Sequence, residues 1–395
     1  HTLNFGFKSM LYHINSGTYE PEGSESFVKK DVLQKDKALE TAFYLGDEWE
    51  ITPKLSVNAG IRYSLFSALG PRSYYQYASD MLPHESTITD TITAGAGKFM
   101  KTYHGPEFRL SARYAFTDNF SVKAGFNSMR QYIHKLSNTV IMSPTDTWKL
   151  SDVNIKPQRG WQAAAGLYLN SPSGIWEYSV EGYYKRMSDY LDYRGGAKLL
   201  MNHHIETDVI NTQGHAYGVE LQVKKQVGKL NGWMSYTYSR TFLRQNDKRI
   251  EKPVNNGDWY PTEYDKPHDF KFVGNYKFTH RYSMSINVDY STGRPTTIPA
   301  GQYYDESTQS MRVYYTERNS YRIPDYFRTD ISFNIEPSHH LTLLTHSSIS
   351  IGVYNVTGRK NVYSIYYMPE EGQIKGYQMS IFGVPIPFIT YNIKF

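Results

Sequence analysis

The chain has 395 residues, no cysteine, a formal charge of +5 and 36 Tyr. The lack of Cys excludes disulfides, thiolate zinc centres and cysteine nucleophiles. So small an excess of charge, with no basic helix, leaves no footprint for nucleic acid. No run approaches the ~18 consecutive apolar residues of a membrane-spanning helix, and the mean hydropathy is −0.58. Soluble all-β domains share such values. Membrane barrels share them too, because only alternate residues meet lipid. The abundance of Tyr, whose ring buries while its hydroxyl stays wet, favours the membrane–water interface.

His1 is followed directly by an alternating stretch, Thr2 to Lys8, with no charged or apolar leader before it. The expectation is a chain that begins inside a longer protein, its signal peptide elsewhere. Period-two segments then recur. Leu55, Val57, Ala59, Ile61 and Tyr63 alternate with polar residues, as do Phe108 to Phe116 and Phe120 to Phe126. Met234 to Tyr238, Phe270 to Phe278, Tyr282 to Tyr290 and Phe327 to Ile335 follow. The last segment, Ile389-Thr390-Tyr391-Asn392-Ile393-Lys394-Phe395, puts Ile389, Tyr391, Ile393 and Phe395 on one face. About fourteen strands of roughly ten residues result, an even number as in antiparallel bacterial barrels.

The breaks between strands alternate in length. Short ones lie at 51–54, 117–119, 171–174, 227–229, 279–281 and 336–340; long ones lie near 14–38, 70–102, 137–155, 192–209, 246–263, 300–320 and 368–379. Short periplasmic turns and long extracellular loops describe an outer-membrane barrel. If the chain ends in the periplasm, the break before the last strand must be extracellular, and counting back puts every short turn in the periplasm. The fold class predicted is therefore all-β, a transmembrane antiparallel up-and-down barrel.

Arg62, Arg109, Arg113, Glu181, Glu220, Asp289, Arg328 and Asp330 fall on the face opposite the apolar residues. Charges there are costly against lipid and cheap in a wet lumen. They either solvate an open lumen or face a second protein element within it.

No G-x-S-x-G elbow or H-E-x-x-H pair occurs, so no catalytic residue is proposed and the chain does not read as an enzyme. Met201, His203 and His204 in one loop, with His84 and His104 in another, carry metal-ligating atoms, but their spacing matches no closed site. The chain is therefore assigned neither metal nor cofactor. Loop aromatics suit a ligand or an interfacial girdle. Trp148, Trp259 and Tyr260, with His203 and His204, are the loop residues taken as ligand candidates. Arg244, Lys248, Arg249 and Lys252 form a basic loop that is either a solvated face or a contact for lipopolysaccharide phosphates.

Several stretches carry a family resemblance. Tyr44-Leu45-Gly46-Asp47-Glu48-Trp49-Glu50-Ile51, followed by Leu55-Ser56-Val57-Asn58-Ala59-Gly60-Ile61-Arg62-Tyr63, resembles a strand pair of TonB-dependent outer-membrane transporters. Tyr217 to Leu221 with Trp233 to Ser239 resembles a later pair, and so do Lys266 to Phe270, Arg322 to Asp330 and Val353 to Asn361. The wording is closest to Bacteroidetes-type members. The resemblance implies a barrel of about 22 strands around an N-terminal plug, with a TonB box. Neither plug nor box is visible. The whole chain, 1–395, is expected to be the C-terminal portion of the barrel, with the plug and first strands upstream.

On that resemblance Arg62, Arg109, Arg113, Glu181, Glu220 and Asp330 become the plug-facing wall, and Tyr391, Ile393 and Phe395 resemble the signal read by the barrel-assembly machinery. The implied function is ligand binding at the extracellular loops and import across the bacterial outer membrane, energised by TonB through the plug. The implied surroundings are lipopolysaccharide and outer-membrane lipid. Two alternatives stand beside it. One is a passive fourteen-stranded channel. The other is a docking barrel that holds surface lipoproteins and imports nothing.

Overall fold

The computed structural model describes residues 1–395 except 24, 28, 137–146, 195, 196, 198, 200, 246, 248, 251, 252, 306–309, 316, 337–345, 371, 372, 382 and 395. One antiparallel sheet runs through fourteen strands in chain order. They are β1 (Thr2–Ile14), β2 (Asp36–Thr52), β3 (Leu55–Leu69), β4 (Phe99–Thr117), β5 (Phe120–Gln131), β6 (Gln158–Asn170) and β7 (Trp176–Tyr193). Then follow β8 (Val209–Lys225), β9 (Leu230–Arg244), β10 (His268–Lys277), β11 (Tyr282–Ser291), β12 (Tyr326–Ile335), β13 (His346–Tyr354) and β14 (Ile386–Lys394). Among the described residues β1 pairs only with β2 and β14 only with β13, so the strip has two free edges and does not close on itself.

Register sorts the two faces. Phe5, Leu45, Ile61 and Phe108 stand opposite one another across β1 to β4, and all four are exposed. Phe333, Ile351 and Ile389 form a similar row across β12 to β14. Shifting by one residue reverses the face, and there Tyr44, Arg62 and Glu107 form the matching row. An apolar face turned outward over a whole sheet suits lipid.

The short turns are held by hydroxyls. Thr52 Oγ1 accepts from the amides of Lys54 and Leu55, and Thr117 Oγ1 from those of Asn119 and Phe120. Ser171 Oγ accepts from Ile175 and Trp176, and Thr279 Oγ1 from Arg281 and Tyr282. Each satisfies amides that the ladder cannot reach at the turn. Gly174, with φ 69°, supplies the left-handed residue of the 171–175 turn.

The long connections carry hairpins of their own, which the alternation did not predict: Arg72–Tyr77 with Ile88–Ala94, Ile133–Leu136 with Thr147–Leu150, Pro299–Asp305 with Ser310–Tyr315, and Val362–Glu370 with Gln373–Ser380. A small apolar core sits where one of them folds back, with Tyr132 stacked on Phe66 at 4.6 Å beside Ala38 and Leu150.

Candidate functional site

The long loops gather at one end of the sheet and are cross-tied. In the first group Lys149 is buried between two carboxylates, 2.9 Å from Asp36 and 2.6 Å from Asp152, and Arg72 pairs with Asp36 as well. Burial alone would raise the Asp152 pKa, but Lys149 and Arg72 outweigh it and hold the carboxyl at about 2. His134, buried in the same hairpin, hydrogen-bonds Ser151 at 3.0 Å. Burial, with the nearby Lys149 charge second, pushes its pKa down to about 4, so the ring is neutral. Trp148 stands on the other face of this hairpin and is 50% exposed.

The second group joins the end of β7 to the connections after β9 and β11. Asp192 accepts from Tyr260 Oη at 2.5 Å and from Arg318 Nη1 at 2.7 Å. Arg318 also donates to the Tyr193 carbonyl at 2.6 Å, and its own amide is held by Asn255. Nearby Asp265 accepts from Arg322 and Arg240. The groups meet where Tyr77 donates to Glu206 at 2.6 Å and Tyr75 packs on His204 at 4.6 Å.

The ligand candidates therefore separate. Trp148 is open to the loop surface. His203 hydrogen-bonds Asp31 at 2.9 Å, while the buried Nδ1 of His204 has no hydrogen-bond partner among the described residues. Trp259 meets His215 edge-on at 4.3 Å and lies under the Arg244 guanidinium. Tyr260 is 1% exposed, with its hydroxyl committed to Asp192. Among the described residues no three His or carboxylate groups converge as a metal site. His84 caps its own short helix and His104 hydrogen-bonds Tyr63 on the outward face. Lys248 and Lys252 of the basic loop lie outside the described residues.

On the inner wall Arg62 sits between Glu40 at 2.8 Å and Glu107 at 3.3 Å, and Asp330 pairs with Arg328 at 2.8 Å. Their charges are answered within the wall. Sequence reasoning did not single out Glu40 or Glu107. Arg109, Arg113, Glu181 and Glu220 form no ion pair among the described residues. Glu181 stands opposite Glu220, and Arg113 opposite Lys123. Arg62 and Arg109 also line a cavity of about 680 Å³ along the inner face of β1 to β5. In β14, Tyr391 is 55% exposed and Ile393 is exposed on the same outward face. Phe395 lies outside the described residues.

The family model described as "TonB dependent receptor-like, beta-barrel" matches residues 1–356. No curated protein matches the chain in sequence. Among solved structures, the closed form of the ferric-catecholate import receptor Fiu from E. coli K12 superposes with a TM-score of 0.57 at 14% identity, covering 98% of this chain and 51% of that one. The ferric citrate transporter FecA in its unliganded form gives 0.58 at 12%, covering 98% and 50%. The receptor FpvA from Pseudomonas aeruginosa PAO1, bound to pyoverdine, gives 0.55 at 14%, covering 100% and 50%. At such identities the likeness is one of fold, and this chain spans about half the length of the structures it matches.

Proposed function

Since the chain belongs to the TonB-dependent receptor-like β-barrel family, and is thus an outer-membrane barrel, we propose that it forms the C-terminal part of the barrel of a TonB-dependent transporter of the Bacteroidetes type. Ligand binds at the cross-tied loops and crosses as an upstream plug, engaged by TonB, rearranges. The family is one of receptors and transporters rather than enzymes. Free edges at β1 and β14 would be satisfied by roughly eight upstream strands, completing a barrel of about 22.

The observation that carries this reading is the pair of like charges in register on the inner wall. Glu181 faces Glu220, and Arg113 faces Lys123. Like charges directly opposite are destabilising on a sheet. They are sustained where an element of complementary charge lies against them, and a plug is such an element. The wall around Arg62 has no such need, because Glu40 and Glu107 already neutralise it.

Conductance of the purified full-length protein in planar bilayers tests the reading. The intact protein should be near-silent, removal of the upstream plug should open a large pore, and Glu181→Gln with Glu220→Gln should raise the leak. Steady conduction by the intact protein would make it a passive channel. A sealed barrel that takes up nothing, yet stays bound to surface lipoproteins, would make it a docking barrel.

A further inference from the structure

The ladder between β4 and β5 stops short of the extracellular rim. Its last pair is Arg109 with Asn127. Above it the Phe108 amide donates to Ser128 Oγ at 2.9 Å instead of to backbone, and Pro106 has no amide to give. Arg130 fills the opening. It lines the inner cavity on one side and a groove of about 250 Å³ on the other. Its guanidinium lies against Gly105, where any Cβ would take its place.

The outward groove is cationic. Arg130 stands in register with Arg159, and Arg186 stands in register with Trp161 on the neighbouring strand. All three arginines line the same groove with Pro106, Ser128 and Trp161. One carboxylate answers them: Asp189, aimed by the bulge after Met187, pairs with Arg159 at 2.8 Å. Among the described residues no carboxylate pairs with Arg130 or Arg186. Three cations against one anion, two of the cations directly opposite each other, repel unless an anion joins them.

The surroundings identify that anion. One step toward the membrane, Phe126, Trp161 and Tyr184 form an outward aromatic row, with centroids 6.0 and 5.7 Å apart. Leu110 flanks the row in register with Phe126, and below it the outward face continues through exposed Leu167 and Val180. The groove is thus a cationic mouth on a lipid-facing wall, at the extracellular ends of β5, β6 and β7.

We propose that Arg130, Arg159 and Arg186 bind the phosphorylated headgroup of an outer-leaflet lipid, with the Phe126–Trp161–Tyr184 row taking its acyl chain. Guanidinium forks match phosphate oxygens two at a time. At the edge of a low-dielectric layer each such contact is stronger than in water. An acidic surface protein would satisfy the charges but has no use for the aromatic row beneath. The site needs only the sidedness of the barrel and holds whether or not any ligand is imported.

The test uses the full-length protein in phosphatidylcholine nanodiscs containing either a bisphosphorylated lipid A or the same lipid without phosphates. Lipid retained after release into detergent is counted by native mass spectrometry. The phosphorylated lipid should be retained and its dephosphorylated form lost. Arg159→Gln with Arg186→Gln should cut retention at least about tenfold, the loss of charge-assisted hydrogen bonds, while Lys224→Gln at the far end of β8 leaves it unchanged. Heat-modifiable gel migration verifies that each variant is folded. Equal retention of both lipids, or retention indifferent to the double variant, would overturn the proposal. So would displacement by millimolar inorganic phosphate, which would make this a site for the free anion.

Discussion

Arg318 donates to the carboxylate of Asp192 at 2.7 Å, joining positions 126 residues apart. Both side chains are mostly buried, and Asp192 also receives the hydroxyl of Tyr260. The contact pins the connections after β9 and β11 to the end of β7.

Removing one partner of a buried pair leaves the other charge uncompensated and costs about 3 kcal/mol or more. Arg318→Met should therefore loosen the loops without unfolding the sheet. Limited proteolysis of 254–267 should accelerate markedly while heat-modifiable migration stays as in the parent. Tyr260→Phe removes one hydrogen bond, worth about 1 kcal/mol, and should have a small effect. Unchanged cleavage in Arg318→Met would mean that the loops are held by other contacts.

His134 gives the Ile133–Leu136/Thr147–Leu150 hairpin a pH dependence. Its pKa in the folded protein is about 4, below the usual value, because burial and Lys149 oppose the charge. Between about pH 6.5 and pH 4 the opened hairpin binds a proton that the closed one refuses. Stability is therefore present above pH 6.5 and falls as pH drops toward 4, by up to ~3 kcal/mol. Asp152, held at about 2 in the closed hairpin, stays ionised there through this window; the opened form begins to take up its proton only near pH 4 and adds a minor slope at that end. Hydrogen exchange in 147–150, corrected for intrinsic rates, should show protection lost on acidification. In His134→Gln the loss should vanish between about pH 6.5 and pH 5, and persistence of the slope there would assign it to another group.

The fourteen strands were legible because alternation is a local signal, and the parity of the turns followed from loop length. What escaped the sequence depended on distant partners. The alternation of the strand ending at Thr117 starts at Phe108, because Gly105 and Pro106 interrupt it before that point. In fact β4 begins at Phe99, and Glu107 lies inside it, in reach of Arg62. Glu40 sits in β2 and meets Arg62 only through the β2–β3 register. Tyr260 read as an open loop aromatic, yet Asp192 and Arg318, far away in sequence, bury it. The loop hairpins were missed for the same reason, since their pairing rests on contacts within the loop cluster rather than on a regular period.

Sidedness can be tested with single Cys substitutions, since residues 1–395 carry no native Cys to react beside them. Asp258 lies in the long connection after β9, and Asp118 and Ser173 lie in short turns; all three are exposed. Asp258→Cys should react with an impermeant maleimide on intact cells. Asp118→Cys and Ser173→Cys should react only after the outer membrane is permeabilised. Equal labelling of both sets on intact cells would reject the topology, and with it the placement of the arginine groove at the outer leaflet.

The last strand offers a test of face assignment. Ile389, Tyr391 and Ile393 point outward from β14, whereas Asn392 stands in register with Ser348 on the inner face, its side chain 3.5 Å from that hydroxyl. An acidic group on the lipid face is destabilising, though less so than the ~2–4 kcal/mol of Arg or Lys at mid-bilayer. Tyr391→Asp should therefore lower the outer-membrane level of the protein several-fold. Asn392→Ser, which keeps a small polar group in a wet lumen, should assemble as the parent does. Quantitative immunoblots of outer-membrane fractions read both. A Tyr391→Asp protein at normal level, with Asn392→Ser depleted, would show that the two faces of β14 are assigned in reverse.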